Sequence, residues 1–241
     1  MIISQVRKHY KELKFSWKWM AKLFSFVIFL YFVWFIIEQF KSTHYFPITE
    51  VKIVGADHER QEMQKILQPL VKKGFFVVDV LQIKERLLQF SWVADASVRR
   101  VWPNQIVIQV AEKKPLARWN RSGLLTTAGE IFNPAKNTYP TDLPQFIAPD
   151  GEQVQLLNFY HDVSSLLTPL HFKIAQLELT PTRSWSLILT NGMKLNVGYK
   201  DVLTRIGHFV KVYPKIVGAR TNEVDYVDLR YNNGMAVRWK A

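Results

Sequence analysis

The sequence predicts an α/β (α+β) protein in which one N-terminal transmembrane helix precedes two small mixed domains. Three observations lead to this class. An uncharged apolar run lies close to the N-terminus, and such runs are typical of membrane spans. Beyond it, segments with a helical period of apolar residues alternate with segments of period two, which is typical of strands. Turn dipeptides such as Asn191-Gly192 separate pairs of alternating segments, which favours antiparallel hairpins.

Composition and charge exclude several classes of function. The chain has 241 residues, 48% of them hydrophobic, and no cysteine. The length suits one or two domains with their own cores, and the absence of cysteine excludes thiol nucleophiles and Cys-based zinc sites. Of the net charge of +12, the dense part is six basic residues against one glutamate within residues 1–22. A nucleic-acid binder gathers its basic groups on a folded face instead, so we expect no nucleic-acid partner.

The apolar run predicts a transmembrane helix at residues 20–40, preceded by a tail of residues 1–19. The uncharged core, residues 23–37, would rise roughly 22 Å as a helix, which is short of the ~30 Å hydrocarbon core. Extension back to Trp17 completes the span if Lys22 snorkels. By the positive-inside rule the tail is cytoplasmic. A cleaved signal peptide is the alternative, but the residues after the span offer no small-x-small cleavage site.

The first segment beyond the membrane has the pattern β-α-α-β-β. Residues 48–55 form a β-branched run that ends at a glycine, which indicates a strand. In the helix that follows, Pro69 is expected to end or kink the helix near Gln68. Asp79 and the glutamine three residues later have capping-box spacing, which predicts the start of a second helix. Two alternating runs joined by a turn at 102–105 predict the last two strands.

The second half, residues 116–241, reads as mostly β with two helices. Residues 124–132 predict a tight hairpin, four prolines mark an irregular connection across 133–150, and residues 152–167 have helical character. Asn191-Gly192 predicts a second hairpin.

The C-terminal pattern is one helix and two strands. We expect Asp201 to cap the helix. Val227, Leu229 and Tyr231 are predicted to share a strand face, and a turn at 232–234 leads into a last strand.

At this point the chain resembles the FtsQ/DivIB division proteins. The stretches that carry the resemblance are residues 92–103 (WVADASVRRVWP), 112–119 (EKKPLARW), 183–187 (RSWSL), 191–198 (NGMKLNVG) and 227–239 (VDLRYNNGMAVRW). The first two are similar to the end of the family's POTRA domain and the others to its C-terminal β domain. The resemblance implies a POTRA domain at 46–115 and a C-terminal domain at 116–241.

The resemblance also implies a function. Members of this family are non-enzymatic scaffolds of the inner membrane at the division septum, where they link early and late division proteins by binding FtsB, FtsL and other divisome membrane proteins. No cofactor and no small-molecule substrate are implied. In the family a segment of FtsB adds as a strand to the sheet edge near the C-terminus, which is recognition by β-augmentation.

Carried onto this sequence, the resemblance places partner binding in eight residues. They are Arg183, Arg230, Tyr231, Asn233, Gly234, Met235, Ala236 and Trp239. Tyr and Trp supply large desolvated area, and Arg pairs bidentately with carboxylates. Ordinary core packing is the alternative for Tyr231 and Trp239, and a solvated surface charge is the alternative for Arg183.

The POTRA signature residues are expected to serve structure more than binding. They are Trp92, Arg99, Arg100, Trp102 and Pro103. Arg99 and Arg100 are consecutive in a strand and point to opposite faces, so at most one of them lies on a given surface.

No catalytic or metal-binding residues are predicted. The six histidines are scattered singly, His58-Glu59 lacks the second histidine of H-E-x-x-H, and the Ser-nucleophile and P-loop motifs are absent. Asp225 and Asp228, three apart on a strand, are expected on opposite faces. Two other classes stay open: a membrane-tethered cell-wall hydrolase or transferase, which would lose activity with one carboxylate, and a POTRA-type transport chaperone, which would add amphipathic barrel strands.

Overall fold

The computed structural model describes residues 17–41, 46–231 and 234–240. These residues form two compact units that interleave along the chain. The first contains the described residues up to Val54 with Gln61–Lys84 and Val98–Ile108, and the second contains Gly55–Arg60, Glu85–Ser97 and the described residues from Gln109 onward.

The N-terminal element is a helix, α1, over Trp17–Lys41. Its stretch Trp17–Gln39, 23 residues long, is apolar enough to cross a membrane, and at 1.5 Å per residue it measures roughly 35 Å, more than the ~30 Å hydrocarbon core. Apolar side chains surround the helix and are exposed, as lipid contact requires. Residues 1–16 of the predicted tail lie outside the described residues.

A small three-stranded sheet with two helices follows, in the predicted order β-α-α-β-β. Its elements are β1 (Glu50–Val54), α2 (Arg60–Val71), α3 (Val80–Leu87), β2 (Val93–Val101) and β3 (Gln105–Glu112). The strand order is β1-β3-β2, so the last strand lies between the other two.

The helix boundaries in this region confirm one prediction and correct another. Asp79 Oδ1 accepts the backbone N–H groups of Leu81 and Gln82 at 2.9 and 3.1 Å, so it caps α3 as predicted. Pro69 does not end α2, which continues two residues further to Val71, while the alternative of a kink near Gln68 stays a prediction. Proline removes a single backbone N–H donor within the last helical turn. The buried side chain of Leu67 holds this end of the helix in place.

The remaining strands form one nine-stranded sheet. They are β4 (Pro115–Trp119), β5 (Leu124–Thr126), β6 (Ile131–Phe132), β7 (Gln145–Ile147), β8 (Ile174–Leu179), β9 (Trp185–Leu189), β10 (Lys194–Gly198), β11 (Val224–Asp228) and β12 (Ala236–Trp239). Their order is β12-β11-β10-β9-β8-β7-β4-β5-β6. The pairs β10–β11, β4–β7 and β7–β8 are parallel and the others antiparallel, so the sheet is mostly antiparallel as predicted.

Two helices, α4 (Gln153–Leu167) and α5 (Val202–Ile216), cover this sheet. They contact each other, and their buried residues share one core with the strands. Leu156 and Val163 of α4 and Ile206 of α5 are fully buried in it. Burial of one apolar face per helix is the main source of stability in such a layered arrangement.

The Asn-Gly hairpin forms as predicted between β9 and β10. Gly192 adopts a φ of 86°, which L side chains rarely adopt. Asn191 Oδ1 accepts the backbone N–H of Met193 at 3.1 Å, which closes the turn. The hairpin is therefore determined by local turn chemistry.

Three expectations for the second half are corrected. The connection at 133–150 contains the strand β7, which is only three residues long and flanked by prolines, too short to show alternation. Asp201 does not cap α5, because its φ of 46° is left-handed and its side chain makes no capping hydrogen bond. Tyr231 does not continue the strand face of Val227, because β11 ends at Asp228 and Arg230 N–H turns back to Asp228 Oδ1 at 3.0 Å.

Candidate partner-binding surface

The last strand, β12, is an outer strand of the large sheet. It pairs antiparallel with β11, from Asp228 opposite Ala236 to Val224 opposite Trp239, and no other described strand lies beyond it. Exposure alternates along its four residues between exposed and half-buried. One backbone edge of β12 is therefore open to a further strand.

A cavity of about 640 Å³ with both apolar and polar lining lies next to the segment that leads into this strand. It is lined by residues from α5 and from the segment after β11: Arg205, His208, Phe209, Val212, Ile216, Leu229, Tyr231, Gly234 and Met235. Phe209 and Leu229 are buried, whereas Val212, Ile216 and Tyr231 are exposed large side chains. Exposed apolar side chains around a concave surface are typical of binding sites.

The structure brings four of the eight predicted binding residues to this region. Tyr231, 60% exposed, lines the cavity together with Gly234 and the half-buried Met235. Ala236 begins β12 and is exposed. Asn233 lies outside the described residues. Core packing does not account for Tyr231 at this exposure.

Trp239 occupies the opposite end of β12 and is half-buried. Its ring packs against the core of the large sheet, and the guanidinium carbon of Arg220 lies 4.3 Å from the ring centroid. Part of the ring is thus covered by a cation–π contact within the chain. Trp239 therefore contributes to packing within the chain.

Arg230 is already paired with a carboxylate. Its Nη2 donates to Asp228 Oδ2 at 2.6 Å and its Nε to Asp228 Oδ1 at 2.9 Å. These hydrogen bonds hold the pKa of Asp228 below its ordinary value, although the burial of Asp228 opposes the shift. Gly198 has a φ of 85°, and a Cβ there would lie 3.2 Å from Arg230 Cγ, so glycine leaves room for this ion pair.

Arg183 does not belong to the cavity. It lies in the turn between β8 and β9 with a φ of 62°. Its Nη2 lies 2.9 Å from Glu152 Oε1 and its Nη1 donates to Gln155 Oε1 at 3.0 Å. The ion pair therefore ties the turn to the start of α4.

Four cavity residues of α5 were missed by the reading of the sequence: Arg205 and three others. His208, Val212 and Ile216 of α5 lie off the apolar stripe that faces the core, which includes Ile206 and Phe209. The signal that could have revealed this face was the pair of apolar residues Val212 and Ile216, which lie outside the core-facing stripe of α5. A helix with only one buried face does not need apolar residues there.

Trp92, the first POTRA signature residue, is 1% exposed and packs with Leu124 and Phe132. Its ring stacks on His58 with 3.9 Å between centroids, and its Nε1 donates to Thr138 Oγ1 at 3.0 Å. Burial and a satisfied N–H are the features of a packing residue.

Glu112 holds the stacked histidine in place. Burial of Glu112 favours its neutral form, but hydrogen bonds from the ring and backbone N–H of His58 and from the backbone N–H of Asp57 outweigh burial and hold the pKa of Glu112 below its ordinary value.

The other signature residues are near the surface. Arg99 and Arg100 are both exposed, and Arg100 Nη2 donates to the carbonyl of Val78 at 2.6 Å. Trp102 is 74% exposed in the turn between β2 and β3, where its bond to Pro103 is cis. Core packing therefore does not explain Trp102. Across the described part of the chain, no cluster of His, Asp and Glu is placed to hold a metal ion.

Comparison with known proteins identifies the family. The family model for the POTRA domain, FtsQ-type, matches residues 46–113, and the model for cell division protein FtsQ/DivIB, C-terminal, matches residues 117–230. The chain is 41% identical over 196 residues to the cell division protein FtsQ of Coxiella burnetii, covering 80% of this chain and 81% of that protein.

Two further relatives agree. The cell division protein FtsQ of Shewanella oneidensis is 36% identical over 198 residues, covering 80% of this chain and 74% of that protein. That of Escherichia coli is 30% identical over 217 residues, covering 86% of this chain and 78% of the relative. The single apolar N-terminal helix fits a single-pass membrane anchor. The chain therefore belongs to the FtsQ/DivIB family of cell division proteins.

Proposed function

We propose that this chain is a non-enzymatic inner-membrane scaffold that binds FtsB and FtsL at the division septum and links early to late division proteins. The observation that carries the proposal is the outer strand β12, preceded by a segment that lines a cavity together with α5. On this proposal the N-terminus is cytoplasmic and the folded units are periplasmic, as the basic residues before α1 favour.

Strand addition is the mode of binding that this surface supports. An unpaired strand edge presents backbone N–H and C=O groups that a partner segment can pair, while neighbouring pockets select its side chains. β12 is only four residues long, and short edges discourage unspecific pairing. An FtsB segment would therefore gain affinity from the edge and selectivity from the cavity.

Tyr231 is the residue on which this surface depends most in our proposal. Exposed tyrosines that become desolvated at an interface often contribute most of its binding energy. Tyr231 lies at the cavity and a few residues before β12, so one partner segment would contact both.

The test is a calorimetric titration of the full chain in nanodiscs with the periplasmic parts of FtsB and FtsL. Tyr231→Ala is expected to weaken binding by at least about 2 kcal/mol, roughly thirtyfold, with an unchanged circular dichroism spectrum. The matched control is Leu81→Ala, which removes an equally exposed apolar side chain from α3 and is expected to leave the affinity unchanged.

Tight binding that Tyr231→Ala leaves unchanged would show that the partners bind away from the cavity. The scaffold role would then still hold. No binding to either partner would contradict the proposed partners. Hydrolysis of peptidoglycan by the purified chain would contradict the non-enzymatic role.

A further inference from the structure

A second cavity, of about 420 Å³, lies among β4, the turn that follows it, and the chain between β6 and β7. Its lining residues are Arg118, Asn120, Arg121, Gly123, Lys136, Tyr139, Thr141 and Gln145. In the sheet order, β4 and β7 are separated from β12 by four or more strands. This cavity is therefore distinct from the proposed site for FtsB.

The cavity concentrates positive charge. Arg118, Arg121 and Lys136 line it, and no Asp or Glu among the described residues does. Arg121 and Lys136 are exposed and form no ion pair within the part of the chain that the structure describes. Asp142 is the nearest acidic residue in sequence to this wall, but it is exposed and does not line the cavity. Concentrated charge of one sign in a concave site attracts the opposite charge.

Arg118, a lining residue of this cavity, has an unused donor on its guanidinium group. Its Nη2 donates to the carbonyls of Pro140 and Thr141 at 2.9 and 3.3 Å. Its Nε is fully buried and has no hydrogen-bond partner within the part of the chain that the structure describes. A buried unpaired donor destabilises the fold, and native structures usually explain such a group by a water or ion bound there.

The neutral amides around the cavity are already occupied. Asn120 Nδ2 donates to the carbonyl of Ala148 at 3.1 Å, and Asn120 Oδ1 accepts the N–H of Ala148 at 3.0 Å. Gln145 Nε2 donates to the carbonyl of Asn120 at 2.6 Å. What remains free for a ligand is three cations and the hydroxyls of Tyr139 and Thr141.

This set of donors suits a carboxylate better than a phosphate. Phosphate sites usually rely on several backbone N–H groups from a helix N-terminus or a nest. Here the N–H groups of Arg118 and Asn120 already donate to the carbonyls of Pro144 and Phe146. The guanidinium of Arg121 makes no hydrogen bond within the described residues, and its planar fork of donors matches the two oxygens of a carboxylate.

We propose that this cavity binds a side-chain carboxylate of an acidic peptide, with Arg118, Arg121 and Lys136 supplying the charge. The site goes beyond the proposed binding of FtsB at β12 and uses the other half of the large sheet. It gives the scaffold a second contact, for an acidic segment of a protein partner.

The test is a nuclear magnetic resonance titration of the ¹⁵N-labelled full chain in nanodiscs at low ionic strength, since salt screens such contacts. The probe is the dipeptide Asp-Glu with an acetylated N-terminus and an amidated C-terminus, and the control ligand is the uncharged dipeptide Asn-Gln with the same blocking groups. The Nε–Hε signal of Arg118 reports directly on the buried donor. We expect a saturable shift with the acidic dipeptide and none with the amide dipeptide.

Two double variants complete the test. Arg121→Gln with Lys136→Gln is expected to weaken the acidic dipeptide at least tenfold, about 1.4 kcal/mol. Both residues are exposed, so the fold is retained, whereas Arg118 is needed for its bonds to the backbone. Lys173→Gln with Lys194→Gln removes two exposed cations outside the cavity and is expected to change nothing.

Four results would overturn the proposal: no saturable shift of the Arg118 signal, an equal shift with the amide dipeptide, unchanged affinity in the variant at Arg121 and Lys136, or a shift produced by inorganic phosphate at lower concentration than by the dipeptide. None of these results bears on binding at β12, so the two proposals fail independently.

Discussion

At the scale of single residues, the ion pair at the end of β11 does most to shape the proposed surface. The side chain of Asp228 is 9% exposed, whereas that of Arg230 is 63% exposed. The buried carboxylate directs the segment that follows, because it accepts both the backbone N–H and the side chain of Arg230. Tyr231 is placed at the cavity by the residue before it.

This arrangement predicts a pH dependence of stability. Because the pKa of Asp228 is below its ordinary value of 3.8 in the folded state, the pair stabilises the fold above that value, and the stabilisation is lost as the pH falls through the lowered pKa. Asp228→Asn is expected to lower the free energy of unfolding at pH 7 by about 1 kcal/mol, a modest value since Arg230 is largely in solvent. It should also flatten the pH dependence of the free energy of unfolding from about pH 4 downward.

The measurement is urea unfolding of the full chain in detergent micelles across that pH range. Asp225→Asn is the matched control, because Asp225 is half-exposed and lies 3.7 Å from Arg238 Nε, a distance at which an exposed pair contributes little. Equal pH slopes for the wild type and Asp228→Asn would show that the buried pair does not contribute this stability.

At the scale of elements, the strands of the large sheet differ in how they are held. β8 lies in the middle of the sheet and pairs with both β7 and β9. Among the described strands, β12 pairs with β11 alone, and the register of this pair shifts between Val224 and Tyr226. Edge strands with few neighbours open more readily than central ones.

Hydrogen–deuterium exchange should detect strand addition at this edge. In the free full chain we expect fast exchange over 234–240 and slow exchange over β8, since backbone groups exchange as they open to water. A saturating concentration of FtsB and FtsL should slow exchange over 234–240 by about tenfold or more and leave β8 unchanged. Protection confined to other segments would rule out strand addition at β12.

At the scale of the whole molecule, the absence of cysteine makes the membrane topology simple to test. The proposed orientation places the tail in the cytoplasm and the hairpin of β5 and β6 in the periplasm. A membrane-impermeant maleimide added to intact spheroplasts should therefore label Thr127→Cys, an exposed residue of that hairpin, and not Ser4→Cys.

Permeabilised spheroplasts provide the control, in which both single-cysteine variants should be labelled. Labelling of Ser4→Cys in intact spheroplasts would reverse the orientation, and with it the compartment in which the partners are bound.

The sequence by itself determined those features of this protein that depend on neighbouring residues. The apolar helix α1, the β-α-α-β-β order, the cap at Asp79 and the Asn191-Gly192 turn all follow from local hydropathy, period and turn chemistry. The family resemblance lies in consecutive residues, so the same local reading also predicted that the segment of Tyr231 and Met235 binds a partner.

Only the tertiary structure decided which distant segments meet. The three-residue strand β7 exists because β4 and β8 pair with it on both sides, and so short a run carries no periodic signal. Both cavities depend on packing between segments that are far apart in sequence. Side chains of α5 line one of them together with the segment after β11, and Arg118 and Lys136 both line the other. Local propensity contains no information on such contacts, which form only when the core closes.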